Sequence, residues 1–187
     1  MNIFFPIDKA VFYFFNRTLA NPLLDVVMPF ITTEKHWTLP IAVIWLGLVF
    51  FGGRKGRITA LLVAVILLFT DQIVNFVIKP LVGRERPCFT LEHVRLLIPQ
   101  PHSLSFPSSH AANISAMATL FKVRYRKYAG LFIAIALLIC VSRMSVGVHY
   151  PSDVAAGALA GFSFAMGILW LTRRLEERHR PMQSRPD

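Results

Sequence analysis

The chain has 187 residues, of which 55% are hydrophobic, yet it carries a formal net charge of +10. A mean hydropathy of +0.53 beside that charge excludes an ordinary water-soluble domain and points to a membrane protein with basic loops. No repeat, low-complexity run or polar linker divides it, so residues 1–172 read as a single membrane-embedded domain and 173–187 as a basic, disordered cytoplasmic tail.

The N-terminus lacks a basic start followed by a small-residue cleavage site, so no removable signal peptide is expected. Residues 3–31 are apolar but broken by Pro6, Asp8, Lys9, Asn16, Arg17, Asn21, Pro22, Asp25 and Pro29. This segment reads as helices lying in the interface or as a broken first crossing, with Phe4, Phe5, Phe12, Phe14 and Phe15 as its apolar area. From Trp37 to Phe51 the chain is apolar for fifteen residues, about 22 Å of helix at about 1.5 Å per residue, so the helix must begin among the polar residues before it to approach a core roughly 30 Å thick. Gly52 to Arg57 is a basic turn, and Ile58 to Ile78 is a span.

Asp71, Asn75 and Lys79 recur every four residues, on one helical face. Polar groups there are either a second layer behind Lys79 or an interhelical hydrogen bond. The stretch KPLVGRERP then brings Lys79 and Arg86 seven positions apart. Residues 84–106 contain Pro87, Pro99, Pro101, several charges, His93 and His102, and read as an extramembrane loop with one short helix. Without tight Cys, His or Asp spacing around them, those two histidines are solvated loop residues rather than metal ligands.

PSSH, residues 107–110, follows, with Ser108 as an N-cap and Ser109 and His110 in the first turn of a span running to about Phe121. The free N–H groups of that turn would face an anion. Lys122 to Lys127 is a second basic turn, Ala129 to Val141 the next span, and Val154 to Leu171 the last, where Gly157 and Gly161 allow close helix contact. Five clear spans plus the N-terminal segment, possibly a sixth, make an all-α integral-membrane bundle. Cys88 and Cys140 lie in dissimilar surroundings and are not expected to pair.

Between the last two spans lies SRMSVGVHYPSD, residues 142–153. Pro151 suits the first turn of a helix, since its missing N–H has no intrahelical partner there. Asp153, four residues after His149, could turn back and hydrogen-bond the imidazole, an orienter beside a base or nucleophile, and the guanidinium of Arg143 could hold two phosphate oxygens. Taken alone, the same stretch also fits a salt-bridged helix junction.

The set K-x6-RP, PSxH and SR-x5-H-x3-D, in that order over about Lys79 to Gly161, resembles the type 2 phosphatidic acid phosphatase superfamily of membrane lipid phosphate phosphatases. One departure is visible: the family usually has Gly where this chain has Ser109. The resemblance implies a phosphohistidine formed on His149 and oriented by Asp153, with His110 as acid for the leaving oxygen and then base for water. Lys79, Arg86, Ser108, Ser109 and Arg143 would hold the phosphate, with Asp71 and Asn75 behind them. Cations already neutralise the phosphate, so no metal or cofactor is expected; nor is a nucleic-acid partner, and no oligomeric state follows. The implied substrate is a lipid phosphate or pyrophosphate, with a polyprenyl pyrophosphate such as the undecaprenyl lipid ranked ahead of phosphatidylglycerol phosphate and a lipid A phosphate. A non-enzymatic lipid binder or transporter is the rival reading. By the positive-inside rule both basic turns and the tail belong in the cytoplasm, which puts the motif residues on the periplasmic or extracellular face of the plasma (inner) membrane.

Overall fold

Apolar runs punctuated by Pro, Gly and basic clusters fold as helices from end to end; the computed structural model describes residues 4–178, and among these there is no strand. Helix α1, Phe4–Tyr13, passes through a π-helical turn, Phe14–Thr18, to a break where Asn21 Oδ1 accepts from the Leu24 N–H at 3.0 Å. Pro22 then opens α2, Pro22–Thr32, as expected for a residue without a free N–H. The single residue Thr33 separates α2 from α3, Glu34–Phe51, which does begin among the polar residues ahead of Trp37.

After a bend at Gly52 the chain forms α4, Gly53–Gln72, and a π-helical continuation, Ile73–Ile78. Most of the expected basic turn is therefore the first turn of α4. The short α5, Lys79–Val82, stops at Gly83, whose φ of 65° is open to glycine and costly for other residues. Pro87 opens the four-residue α6, Pro87–Thr90, and the loop runs on to the Ser108 cap of α7, Ser109–Arg124. A 3-10 turn leads to α8, Ala129–Ser145, and α9 is Pro151–Arg178.

The all-helical architecture is as expected. Among the described residues three stretches are long and apolar enough to cross a membrane, Gly53–Thr90, Arg126–Ser145 and Pro151–Arg178, which include three of the five expected spans. The run in α3 is shortened by Glu34, Lys35 and His36, and α7 has only 16 residues, many of them Ala, Ser or Asn. Helix α9 carries residues 173–178 of the expected tail. The remainder of that predicted tail, 179–187, lies outside the described residues.

Helix α7 is the hub, packed against α9, α8 and α4. Its small residues let α9 come to backbone contact: a Cβ added at Gly161 would lie 1.9 Å from the Ala112 carbonyl oxygen, and one at Gly157 2.4 Å from that of Ser108. Around this seam Leu62, Val63 and Ile66 of α4, Leu120 of α7 and Leu169 of α9 form the main apolar cluster. Outward faces carry large apolar side chains, among them Phe50, Phe51, Phe76, Leu81 and Leu159. Large residues outside and small or polar ones inside suit a bundle solvated by lipid.

The two basic stretches meet at one end. Arg124 donates to Thr59 Oγ1 at 2.8 Å and to the Lys55 carbonyl at 3.0 Å, and the Lys55 ammonium lies 4.7 Å from the centre of the Tyr125 ring. Asp71 and Asn113, the other ends of α4 and α7, also meet, so these helices run antiparallel and the motif residues gather at the opposite end.

Candidate active site

Beyond Gly83 the chain is no longer helical, which aims Arg84 and Arg86 in different directions. Arg86 turns inward and is 4% exposed. It donates through Nε to the Ser103 carbonyl at 2.6 Å, through Nη2 to Ser103 Oγ at 2.8 Å, and through Nη1 to the Val148 carbonyl at 3.1 Å. The same Nη1 lies 3.0 Å from Nε2 of His149. A guanidinium donates and never accepts, so Nε2 must present its lone pair, and the ring proton belongs on Nδ1. Burial, with Arg143, Arg86 and Lys79 beside it, holds His149 well below the usual histidine range. The imidazole is thus neutral, in the tautomer that leaves Nε2 nucleophilic.

Asp153 lies behind the ring but does not hydrogen-bond it. Its Oδ2 is 3.5 Å from His149 Nδ1, which has no hydrogen-bond partner. That oxygen accepts instead from the Ser105 hydroxyl and, at 2.8 Å, from the Tyr150 N–H. Oδ1 takes Arg84 Nη1 at 2.7 Å. Arg84 also donates to Ser152 Oγ at 2.7 Å and to Asp8 Oδ2 at 2.6 Å, with its guanidinium carbon 4.0 Å from the centre of the Tyr150 ring. The predicted orienter is therefore itself oriented by a network reaching α1, and Arg84 is spent on that network.

Three other cationic or polar groups converge on the same space. Arg143 is 5% exposed, donates from Nη1 to Thr32 Oγ1 at 2.6 Å, and keeps a buried Nε without a partner. Lys79 is buried, and among the described residues no carboxylate lies within salt-bridge distance of it. Ser108 is fully buried, its hydroxyl turned to the Ala111 N–H at 3.4 Å and its own N–H to the Asp153 carbonyl at 3.0 Å. With Asp153 offset by Arg84, the cations Lys79, Arg86 and Arg143 leave a surplus of positive charge, and an orphan donor in so buried a place calls for an anion.

Ser109 and the second-layer candidates form rungs between helices: Ser109 Oγ donates to Asn75 Oδ1 at 2.8 Å and Asn113 Nδ2 to Asp71 Oδ1 at 2.9 Å. Ser109 is thus held by α4's continuation. His110, one position on, has Nε2 3.1 Å from Glu34 Oε1. Sequence reasoning missed Glu34, Thr32, Ser103, Ser105 and Asp8 as site-shaping residues; the one available signal was Asp8, an acid in an apolar stretch that turns out to be 6% exposed.

A family model described as the PAP2 superfamily matches residues 58–177. The chain is 29% identical over 163 residues to the lipid A 4'-phosphatase of Bacteroides thetaiotaomicron, covering 83% of this chain and 72% of that one. To the undecaprenyl-diphosphatase BcrC of Bacillus subtilis it is 32% identical over 148 residues, 77% of this chain and 75% of that one. The crystal structure of Aquifex aeolicus LpxE superposes with a TM-score of 0.72 at 26% identity, covering 91% of this chain and 99% of the other.

Proposed function

This chain belongs to the PAP2 superfamily, and on that premise we propose that it is a membrane lipid phosphatase that passes the phosphoryl group of a lipid phosphate or lipid pyrophosphate to His149 and then to water. The observation that carries this reading is the neutral His149, whose Nε2 lone pair faces a guanidinium 3.0 Å away inside a cluster of buried cations.

A phosphoryl group entering there takes over the donors of Arg86 and Arg143 and the ammonium of Lys79, which stabilise the charge spread over its oxygens in the transition state. As the bond from Nε2 to phosphorus forms, the bond to the leaving oxygen breaks and His110 delivers a proton to that oxygen. His110, now neutral, removes a proton from water as the water oxygen attacks phosphorus. Inorganic phosphate leaves, and Nε2 regains its lone pair. Asp153 faces the Nδ1–H and offsets the charge the ring acquires while phosphorylated.

Three protein cations do the work a metal would otherwise do, so turnover is expected to persist in excess chelator. The names of the relatives, a lipid A phosphatase and an undecaprenyl-diphosphatase, fit this substrate class. The site lies at the end of the bundle away from the basic turns, so the enzyme would work on the periplasmic or extracellular face of the plasma membrane. A lipid binder or transporter would use the cations but would have no use for a neutral imidazole among them.

The test is to incubate purified protein and chelator with a lipid phosphate labelled in its terminal phosphoryl group. Release of labelled phosphate, with a transient label on protein that survives base and is lost in acid, is expected for the wild type and absent from His149→Ala. Binding without release, or a labelled His149→Ala protein, would overturn the reading.

A further inference from the structure

The corner between α2 and α3 reaches the site although it lies outside residues 58–177, the stretch matched by the family model. Thr32, 4% exposed, closes α2 on Arg143, and Glu34, the first residue of α3, meets His110. The corner is braced on itself. Trp37 Nε1 donates to the Ile31 carbonyl at 2.9 Å, Thr33 Oγ1 to the Pro29 carbonyl at 2.7 Å, and the Phe30 and His36 rings stack 4.7 Å apart. Two residues apart in sequence, Thr32 and Glu34 thus arrive as a rigid unit on two site groups that lie 33 positions apart.

We propose that Glu34 is a positioning residue for the leaving-group step: its carboxylate holds His110 by Nε2, favours a proton on the ring once a substrate phosphate offsets the cations around it, and leaves Nδ1 to carry the transferable proton. Arg143, Lys79 and Arg86 bear on His110, as does the imidazole of His149, and among the described residues Glu34 is the carboxylate within salt-bridge distance of its ring. Burial and the three cations push His110 down to about 3, so the ring takes its proton when a bound phosphate offsets those cations, with Glu34 holding the Nε2–H. In the forward step the Nδ1 proton moves to the leaving oxygen as the oxygen–phosphorus bond breaks, while the Nε2–H stays on Glu34. In the second step Nδ1 accepts a proton from the attacking water, restoring the charged ring. Glu34 itself is 78% exposed, so the pair adds little to folding stability. Its consequence is the orientation and charge of one ring.

This rests on the phosphatase reading, and the experiment separates the two. Single-turnover bursts are measured for wild type, Glu34→Gln and the neighbouring exposed Lys35→Gln, with chelator, on dioctanoylglycerol phosphate and on nitrophenyl phosphate. On the alkoxide leaving group Glu34→Gln should lose about tenfold of the burst rate, less than the roughly 10² to 10⁴ that loss of the general acid itself would cost. On the nitrophenolate, which leaves without a proton, it should stay within about twofold of wild type. Removing a carboxylate beside a cationic ring makes the proton easier to lose. The alkaline limb of the alkoxide reaction should therefore move down by about one pH unit in Glu34→Gln and stay put in Lys35→Gln. Substrate ionisation is common to all three proteins and drops out of the difference. A wild-type burst with equal losses on both leaving groups, or an unmoved alkaline limb, would overturn the role of Glu34 alone. No wild-type burst at all would overturn the phosphatase reading and this proposal with it.

Discussion

At the residue scale the site turns on which of several similar side chains faces inward. Arg84 and Arg86 share one short loop and look equivalent as letters, yet Arg86 meets His149 while Arg84 is consumed by Asp8 and Asp153. The K-x6-RP spacing singles out Arg86, but it gives Arg84 no role; that role comes from α1 bringing Asp8 to the loop. The neutral state of His149 has a measurable sign. In the unfolded chain an imidazole titrates near about 6.5, whereas in the fold burial and three cations keep it neutral well below that. Between those values the unfolded chain binds a proton that the folded one does not, so stability contributed by this group is lost as pH falls below about 6.5. Phosphate-free thermal unfolding should therefore show wild type losing ground to His149→Asn as pH is lowered from about 7 to about 5. Parallel melting curves across that range would mean that His149 gains a proton in the fold.

At the element scale the sequence was most readable where one feature decides the outcome. Ser108 caps α7, Pro151 starts α9, and α3 begins upstream of Trp37, each for a local reason that needs no tertiary contact. Three of the five expected spans have the length and hydropathy to cross a membrane; the polar start of α3 and the shortness of α7 hold those two helices below it, and the Ala and Ser lining of α7 suits burial among other helices. The reach of the α2–α3 corner was not readable at all, since it depends on α2 docking against α8. Gly157 and Gly161 were read as a packing pair, and the packing is tight enough to predict from. Gly161→Ala places a methyl against the Ala112 backbone, which cannot swing aside, and should cost about 1 to 3 kcal/mol as overpacking does. In the same helix Gly167 has open space around it, and Gly167→Ala should be neutral or stabilising by up to about 1 kcal/mol. Melting temperatures in detergent that fall equally for both variants would show that α7 and α9 are not in backbone contact along this seam.

At the scale of the whole molecule, charge sorts the bundle into two ends. Lys55 and Arg124 touch at one end, where Arg54, Arg57, Arg126 and Lys127 also cluster, and this is the end the positive-inside rule assigns to the cytoplasm. The other end is basic too, but its positive charges are bound up differently. Arg84 and Arg95 are ion-paired with Asp8, Asp153 and Asp25, and Lys79, Arg86 and Arg143 are buried in the site. Paired or buried charges of this kind weigh little in setting orientation beside free lysines and arginines in short turns, so the basic end should stay inside despite the cations of the site. Labelling can decide this once Cys88 and Cys140 are replaced by Ser. Arg95 would be a poor reporter because it is half-buried and paired with Asp25, whereas Glu92 on the site-end loop and Arg54 on the basic end are both exposed. A membrane-impermeant maleimide on intact cells should label Glu92→Cys and spare Arg54→Cys, with both labelled after the membrane is opened. Labelling of Arg54→Cys alone in intact cells would turn the molecule over and place the phosphate site in the cytoplasm, where the lipids it could reach would be those of the inner leaflet.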